Sequence, residues 1–113
     1  MIHEMRLDNE PFNKVKEGTK TVELRLLDEK RKTLRIGDKI VFTNRETNEK
    51  IDVVITGLFK ADNFEPIYEK YSKVSMGYNE DDDARPEDME EYYSKEEIKK
   101  YGCIAIEVEK VLK

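Results

Sequence analysis

The chain of 113 residues has no tryptophan, one cysteine, one histidine, three prolines and five glycines. A lone Cys103 excludes an intrachain disulfide, and Cys103 with His3 falls short of the three or four ligands that zinc takes from protein. Cys103 opens an apolar strand and reads as a small core residue. His3 sits on the first strand, where a surface or packing role suits it better than proton transfer. No run approaches the ~20 apolar residues of a membrane-spanning helix, and "MIHEMRLDNE" lacks the cationic and apolar regions of a secretory signal. A cytoplasmic protein without membrane attachment, and a monomer, is the expectation. Also missing are a Walker or dinucleotide glycine loop, paired histidines for a metal, and a Gly-x-Ser-x-Gly elbow. No metal and no cofactor are expected.

Charge, by contrast, is abundant. Charged residues make up 42% of the chain and the mean hydropathy is −0.84, values that lean toward disorder. The apolar residues nevertheless gather in periodic runs such as "KIVFTN" and "CIAIEVEKV", so a folded domain with a very polar surface is the better reading. Dividing the chain would leave two pieces too small to bury a core, which makes residues 1–113 a single domain. The net charge of −5 argues against sequence-blind binding to phosphate backbones. Lys14 to Lys39 holds nine Lys or Arg against five acids, whereas Glu80 to Glu97 holds ten acids against Arg85 and Lys95. Either the first region attracts an anion that the second repels, or both are solvated surface.

The pattern predicts five strands and two or three short helices. "IHEMRL" alternates as a first strand with Met5 and Leu7 near the core. "DNEPFNKVKEG" reads as a helix capped by Asp8 or Asn9, with Phe12, Val15 and Lys16 on one face and Gly18 as its stop. A charged strand, "TKTVELRL", follows, in which Val22, Leu24 and Leu26 hold the barrel while Glu23 and Arg25 take the other face. Gly37-Asp38 turns into a strand from Lys39 to Thr43, and "NRETNE" is a hairpin loop before "KIDVVITGLFK", where Gly57 marks a bulge or a close backbone approach. Phe64, Ile67, Tyr68 and Tyr71 have helical spacing behind Asp62 or Asn63 as a cap. The irregular "SKVSMGYNEDDDARPEDMEEYY" reads as a mobile lid or an acidic surface loop. Ser94 and Glu97 form a capping box, Gly102 ends that helix, and "CIAIEVEKV" is the last strand with Ile104, Ile106 and Val108 inward. No βαβ rhythm is present, so a small curved sheet or barrel plugged by helices is the economical arrangement.

"GTKTVELR" resembles the Gly-x-Lys-x-x-Glu-x-Arg pattern of the ASCH family at all four positions: Gly18, Lys20, Glu23 and Arg25. The similarity extends over nearly the whole chain through the helix "EPFNKVKEG", the Gly37-Asp38 turn and "YGCIAIEV". It implies an α+β, mainly β, PUA-like mixed barrel of five or six strands, with a cleft beside the motif for RNA or a nucleoside-like ligand. Residue chemistry suits that role. Lys20 and Arg25 can hold a phosphate or base oxygen, Glu23 can accept from a base amino group, and Tyr78 can stack. The other tyrosines, Tyr68, Tyr71, Tyr92, Tyr93 and Tyr101, read as packing residues.

Small relatives that this chain resembles are amidohydrolases of N(4)-acetylcytidine, which implies an alternative with Lys20 and Glu23 as catalytic groups. Those relatives have a threonine where Glu23 stands and a glutamate where Val74 to Met76 carries none. An adaptor that binds protein through residues 80–97 is a further alternative. The motif has its own geometric condition. In a regular strand Lys20 points opposite to Glu23 and Arg25, so one shared site requires the strand to begin after Lys20 or to bulge near Thr21.

Overall fold

The computed structural model of the chain describes residues 1–111. Five strands, β1 (Ile2–Leu7), β2 (Val22–Leu26), β3 (Lys39–Asn44), β4 (Lys50–Ala61) and β5 (Cys103–Lys110), form one sheet in the order β1-β3-β4-β5-β2. β1 lies parallel to β3 and every other pair is antiparallel. The sheet curls into a half-barrel whose two edge strands are β1 and β2. Helices α1 (Asn9–Glu17), α2 (Glu65–Lys70) and α3 (Lys95–Tyr101) are short. Mixed α+β architecture, mainly β, is therefore as the sequence predicts. Among the described residues no helix is long and apolar enough to cross a membrane.

Two apolar clusters hold the sheet. On its inner face Phe12 and Val15 of α1 pack against Met5, Ile40, Phe42, Val53, Ile55, Ile104 and Ile106. On the opposite face of β2 and β5, Val22, Leu24, Cys103 and Ala105 pack against Phe64, Ile67, Met76 and Met89. β5 is thus covered on both sides, and Cys103 through Ile106 are all buried. Burial alone pushes the Cys103 thiol up to about 12, as suits a core residue and not a nucleophile.

These clusters correct two expectations. Val22 and Leu24 do not line the barrel; they face the second cluster, while Glu23 and Arg25 pair with Ile106 and Ile104 and share the inner face. Nor is the segment after α2 a plain acidic loop. Met76 and Met89 are buried, a 3-10 helix spans Pro86–Glu91, and the segment forms a wall over β2.

Local signals mostly operate as read. Gly18 ends α1 by donating to Lys14 and Val15 carbonyls, and Ser94 and Glu97 cap α3 reciprocally; at α2, however, Phe64 and not Asp62 or Asn63 stands at the N-cap, with Asn63 Oδ1 one residue earlier accepting from the Glu65 N–H at 2.9 Å. Asp8 precedes α1 without a side-chain cap bond, and Lys16 is exposed, not on the buried face with Phe12 and Val15. Register shifts at Gly57, where a Cβ would stand 2.7 Å from the Glu107 carboxyl carbon. His3 is buried with Nε2 2.8 Å from Asp38 Oδ2, a bond that holds the Asp38 carboxyl below its ordinary value.

Candidate functional site

β2 begins at Val22, so Lys20 precedes the strand and escapes its alternation. The reason lies in the backbone. Thr19 and Lys20 N–H groups both return to the Lys14 carbonyl, and Thr21 and Val22 N–H groups both donate to the Ser75 carbonyl at 2.9 and 3.0 Å. The chain thereby turns into β2 with Lys20 swung onto the side of Glu23.

There Lys20 Nζ meets three acceptors: Met76 O at 2.9 Å, Val22 O at 3.1 Å and Glu23 Oε1 at 3.2 Å. An ammonium has three N–H donors, so Lys20 is fully occupied within the protein. Glu23 Oε2 accepts from Arg25 Nε at 2.8 Å and lies 2.7 Å from Arg25 Nη2, which also donates to the Arg6 carbonyl at 3.0 Å. All three side chains are nearly closed to solvent, at 7%, 8% and 13% exposure for Lys20, Glu23 and Arg25. Burial by itself would raise the Glu23 carboxyl, but the Lys20 and Arg25 charges outweigh it and the net direction is down. The Arg25 guanidinium, disfavoured by burial, is held above its ordinary value by Glu23.

Lys14 Nζ grips the next carbonyl, Gly77 O, at 2.7 Å, together with Asn79 Oδ1 at 3.0 Å. Three successive carbonyls, of Ser75, Met76 and Gly77, are thus captured by α1 and the turn into β2. Gly77 suits this place because its φ is +107° and a Cβ there would lie 3.2 Å from Lys20 Cδ. Gly77→Ala is accordingly expected to cost about 1–3 kcal/mol, read as a shift in the urea midpoint at unchanged slope.

The triad opens on a cavity of about 500 Å3 between β1, the start of α1, β2 and the wall segment. Tyr68, Tyr78, Tyr92 and Tyr93 line it, whereas Tyr71 bonds Glu107 elsewhere. The Tyr68 and Tyr78 hydroxyls are 2.7 Å apart, their rings meeting edge to face, and Tyr78 donates to Asp88 Oδ2 at 2.8 Å. Burial and these bonds raise the Tyr78 phenol. Tyr93 stacks on Phe64. In the sequence Tyr68, Tyr92 and Tyr93 read as packing residues and Asp88 as one acid of many. Met89, an apolar residue inside an acidic run, is the signal that this stretch turns inward.

The cavity is lined by four basic and five acidic side chains, so it offers no one-signed field for a polyanion. The basic run itself is largely paired, with Arg31 on Asp28, Lys32 on Glu29 and Lys16 on Glu49. A larger hollow of about 720 Å3 lies between β4, α2 and α3, but its lysines and acids are mostly exposed and no motif residue reaches it. The smaller cavity, with its converging buried polar groups, is the better site. Among the described residues no three His, Cys, Asp or Glu side chains are placed to hold a metal ion.

The family model described as the ASCH domain matches residues 5–112. The chain belongs to the ASCH domain family. Similar solved structures include the crystal structure of hypothetical protein PH0355. It is 31% identical with a TM-score of 0.82, the match covering 98% of this chain and 100% of that one. The solution NMR structure of protein PF0455 from Pyrococcus furiosus is 29% identical with a TM-score of 0.76, over 100% of both chains. No curated protein matches the chain. Within this ASCH domain the motif residues Lys20, Glu23 and Arg25 form one buried ion triad, with Tyr78 on the facing wall of the same cavity.

Proposed function

We propose that this ASCH domain binds a nucleoside-like ligand in the cavity beside Gly18–Arg25, with the Arg25 guanidinium as the principal polar contact. One observation carries the reading. Among the described residues Lys20 and both Glu23 oxygens already have protein partners, whereas Arg25 Nη1 has none and its other nitrogens are held by Glu23 and Arg6. Two N–H donors on a fixed plane suit a base carbonyl or ring nitrogen. The tyrosines supply faces and edges for a flat ring. Balanced cavity charge and a chain net charge of −5 favour an uncharged nucleoside over an RNA strand with its phosphates.

Equilibrium binding of nucleosides and short single-stranded RNAs at two salt concentrations tests this. Nucleoside affinity is expected to vary little with salt and to fall about tenfold or more in Arg25→Ala, the scale of a lost charged hydrogen bond. Affinity that appears only for RNA and drops steeply with salt would replace the nucleoside by a strand. N(4)-acetylcytidine should be bound without release of acetate, because Lys20 Nζ is engaged by three protein acceptors and a nucleophilic amine needs its lone pair free to face the substrate. Acetate release lost in Lys20→Ala would establish an amidohydrolase instead.

A further inference from the structure

Resting on the nucleoside reading, we infer that Asp88 sets the hydrogen-bond polarity of the tyrosine wall, so that the cavity selects a ligand whose exocyclic group is a donor. The target is an amino-bearing base, chosen over its keto counterpart.

Direction of the chain follows from counting protons. Asp88 Oδ2 accepts the Arg85 backbone N–H at 3.1 Å as well as the Tyr78 hydroxyl at 2.8 Å. A carboxylate oxygen that receives two donors is an acceptor only, so the single Tyr78 proton is committed to it. The Tyr78 oxygen must then accept at its 2.7 Å contact with Tyr68, and the Tyr68 proton is committed in turn. Tyr68 therefore offers lone pairs alone to anything that reaches its oxygen. Arg25 Nη1 offers donors alone.

A base fits between them if it presents an acceptor to Arg25 and a donor to Tyr68. The exocyclic group projects furthest from a base edge, and it decides the match. An amino group donates to Tyr68; a keto oxygen meets lone pairs with lone pairs, and a buried acceptor left unpaired is disfavoured. None of this depends on which ring carries the group.

Binding of two matched pairs, cytidine with uridine and adenosine with inosine, tests the inference. Wild-type protein should prefer the amino member of each pair by about tenfold or more. In Asp88→Asn the amide oxygen can stand where Oδ2 does and accept both the Arg85 N–H and the Tyr78 hydroxyl, so the preference for the amino member is expected to persist. Asp88→Ala releases the Tyr78 proton, lets Tyr78 and Tyr68 exchange donor and acceptor roles, and should bring each pair within about twofold. Tyr78→Phe cuts the chain and should bring each pair within about twofold, since the Tyr68 hydroxyl then rotates freely. Should Asp88→Ala not fold, Tyr78→Phe decides the matter alone. Equal wild-type affinities, or a preference unchanged in Tyr78→Phe, would overturn the inference while leaving nucleoside binding intact. Wild-type protein that binds no nucleoside would overturn both.

Discussion

Glu23→Ala is expected to lower the unfolding free energy by about 3–5 kcal/mol, the range for breaking a buried ion pair from one side. Its carboxylate is the only anion in the triad and touches both Lys20 and Arg25. Without it two buried cations face each other, and Arg25 loses the partner that orients its fork. Urea titration measures the effect, and an unchanged slope shows that the same surface is exposed on unfolding. The loss should also depend on pH. Because the folded-state value of Glu23 lies below its unfolded value, the carboxylate contributes its full stabilisation above the unfolded value of about 4.3. That contribution disappears as pH falls through the lower folded value. The gap between wild type and Glu23→Gln should therefore be constant from neutral pH down to about 5 and close in stronger acid. A gap of under about 1 kcal/mol at pH 7, the size of an exposed pair, would show that the triad is solvated.

Lys20→Met is expected to cost about 3 kcal/mol, because it retains the apolar stem but strands the Val22 and Met76 carbonyls. The damage should be local as well as global. Thr21 and Val22 amide protons, bonded to Ser75 O, should exchange faster with solvent as the wall segment loosens. Coupling with Glu23 supplies a sharper measure. Lys20→Met removes one of the two cations that Glu23→Gln leaves uncompensated, so the double variant should be more stable than the summed losses by about 1–3 kcal/mol. Strict additivity would mean that the two side chains do not share a charge network.

The same residues explain what the sequence could disclose. Family and fold class were legible because Gly18, Lys20, Glu23 and Arg25 stand at motif spacing and because the turn and strand punctuation is local chemistry. The shared site was legible only as a condition on where β2 begins. What meets that condition is the Ser75 carbonyl, supplied by a segment remote in sequence. Which face of β2 lines the barrel could not be read from alternation, since apolar packing covers both sides of β2 and β5. The acidic run hid the tyrosine wall for a similar reason: its composition is that of a surface, while Met89 and Asp88 turn inward through tertiary contacts. Lys20 reads as a ligand group because a cation in a motif invites that role. Its occupation by two backbone carbonyls becomes visible only once residues 75–77 are in place.

The route taken by Arg25 also bears on solubility. β1 and β2 are the two ends of the sheet, and a bare strand end is a template for joining another molecule. Here the ends turn toward each other across the cavity, with Arg25 on the Arg6 carbonyl and Lys30 reaching the Glu4 carbonyl at 3.4 Å. The guanidinium that lines the cavity is at the same time a guard against intermolecular strand pairing. Replacing it uncovers part of an edge, so aggregation propensity and the polar lining of the cavity in this half-barrel depend on the same side chain.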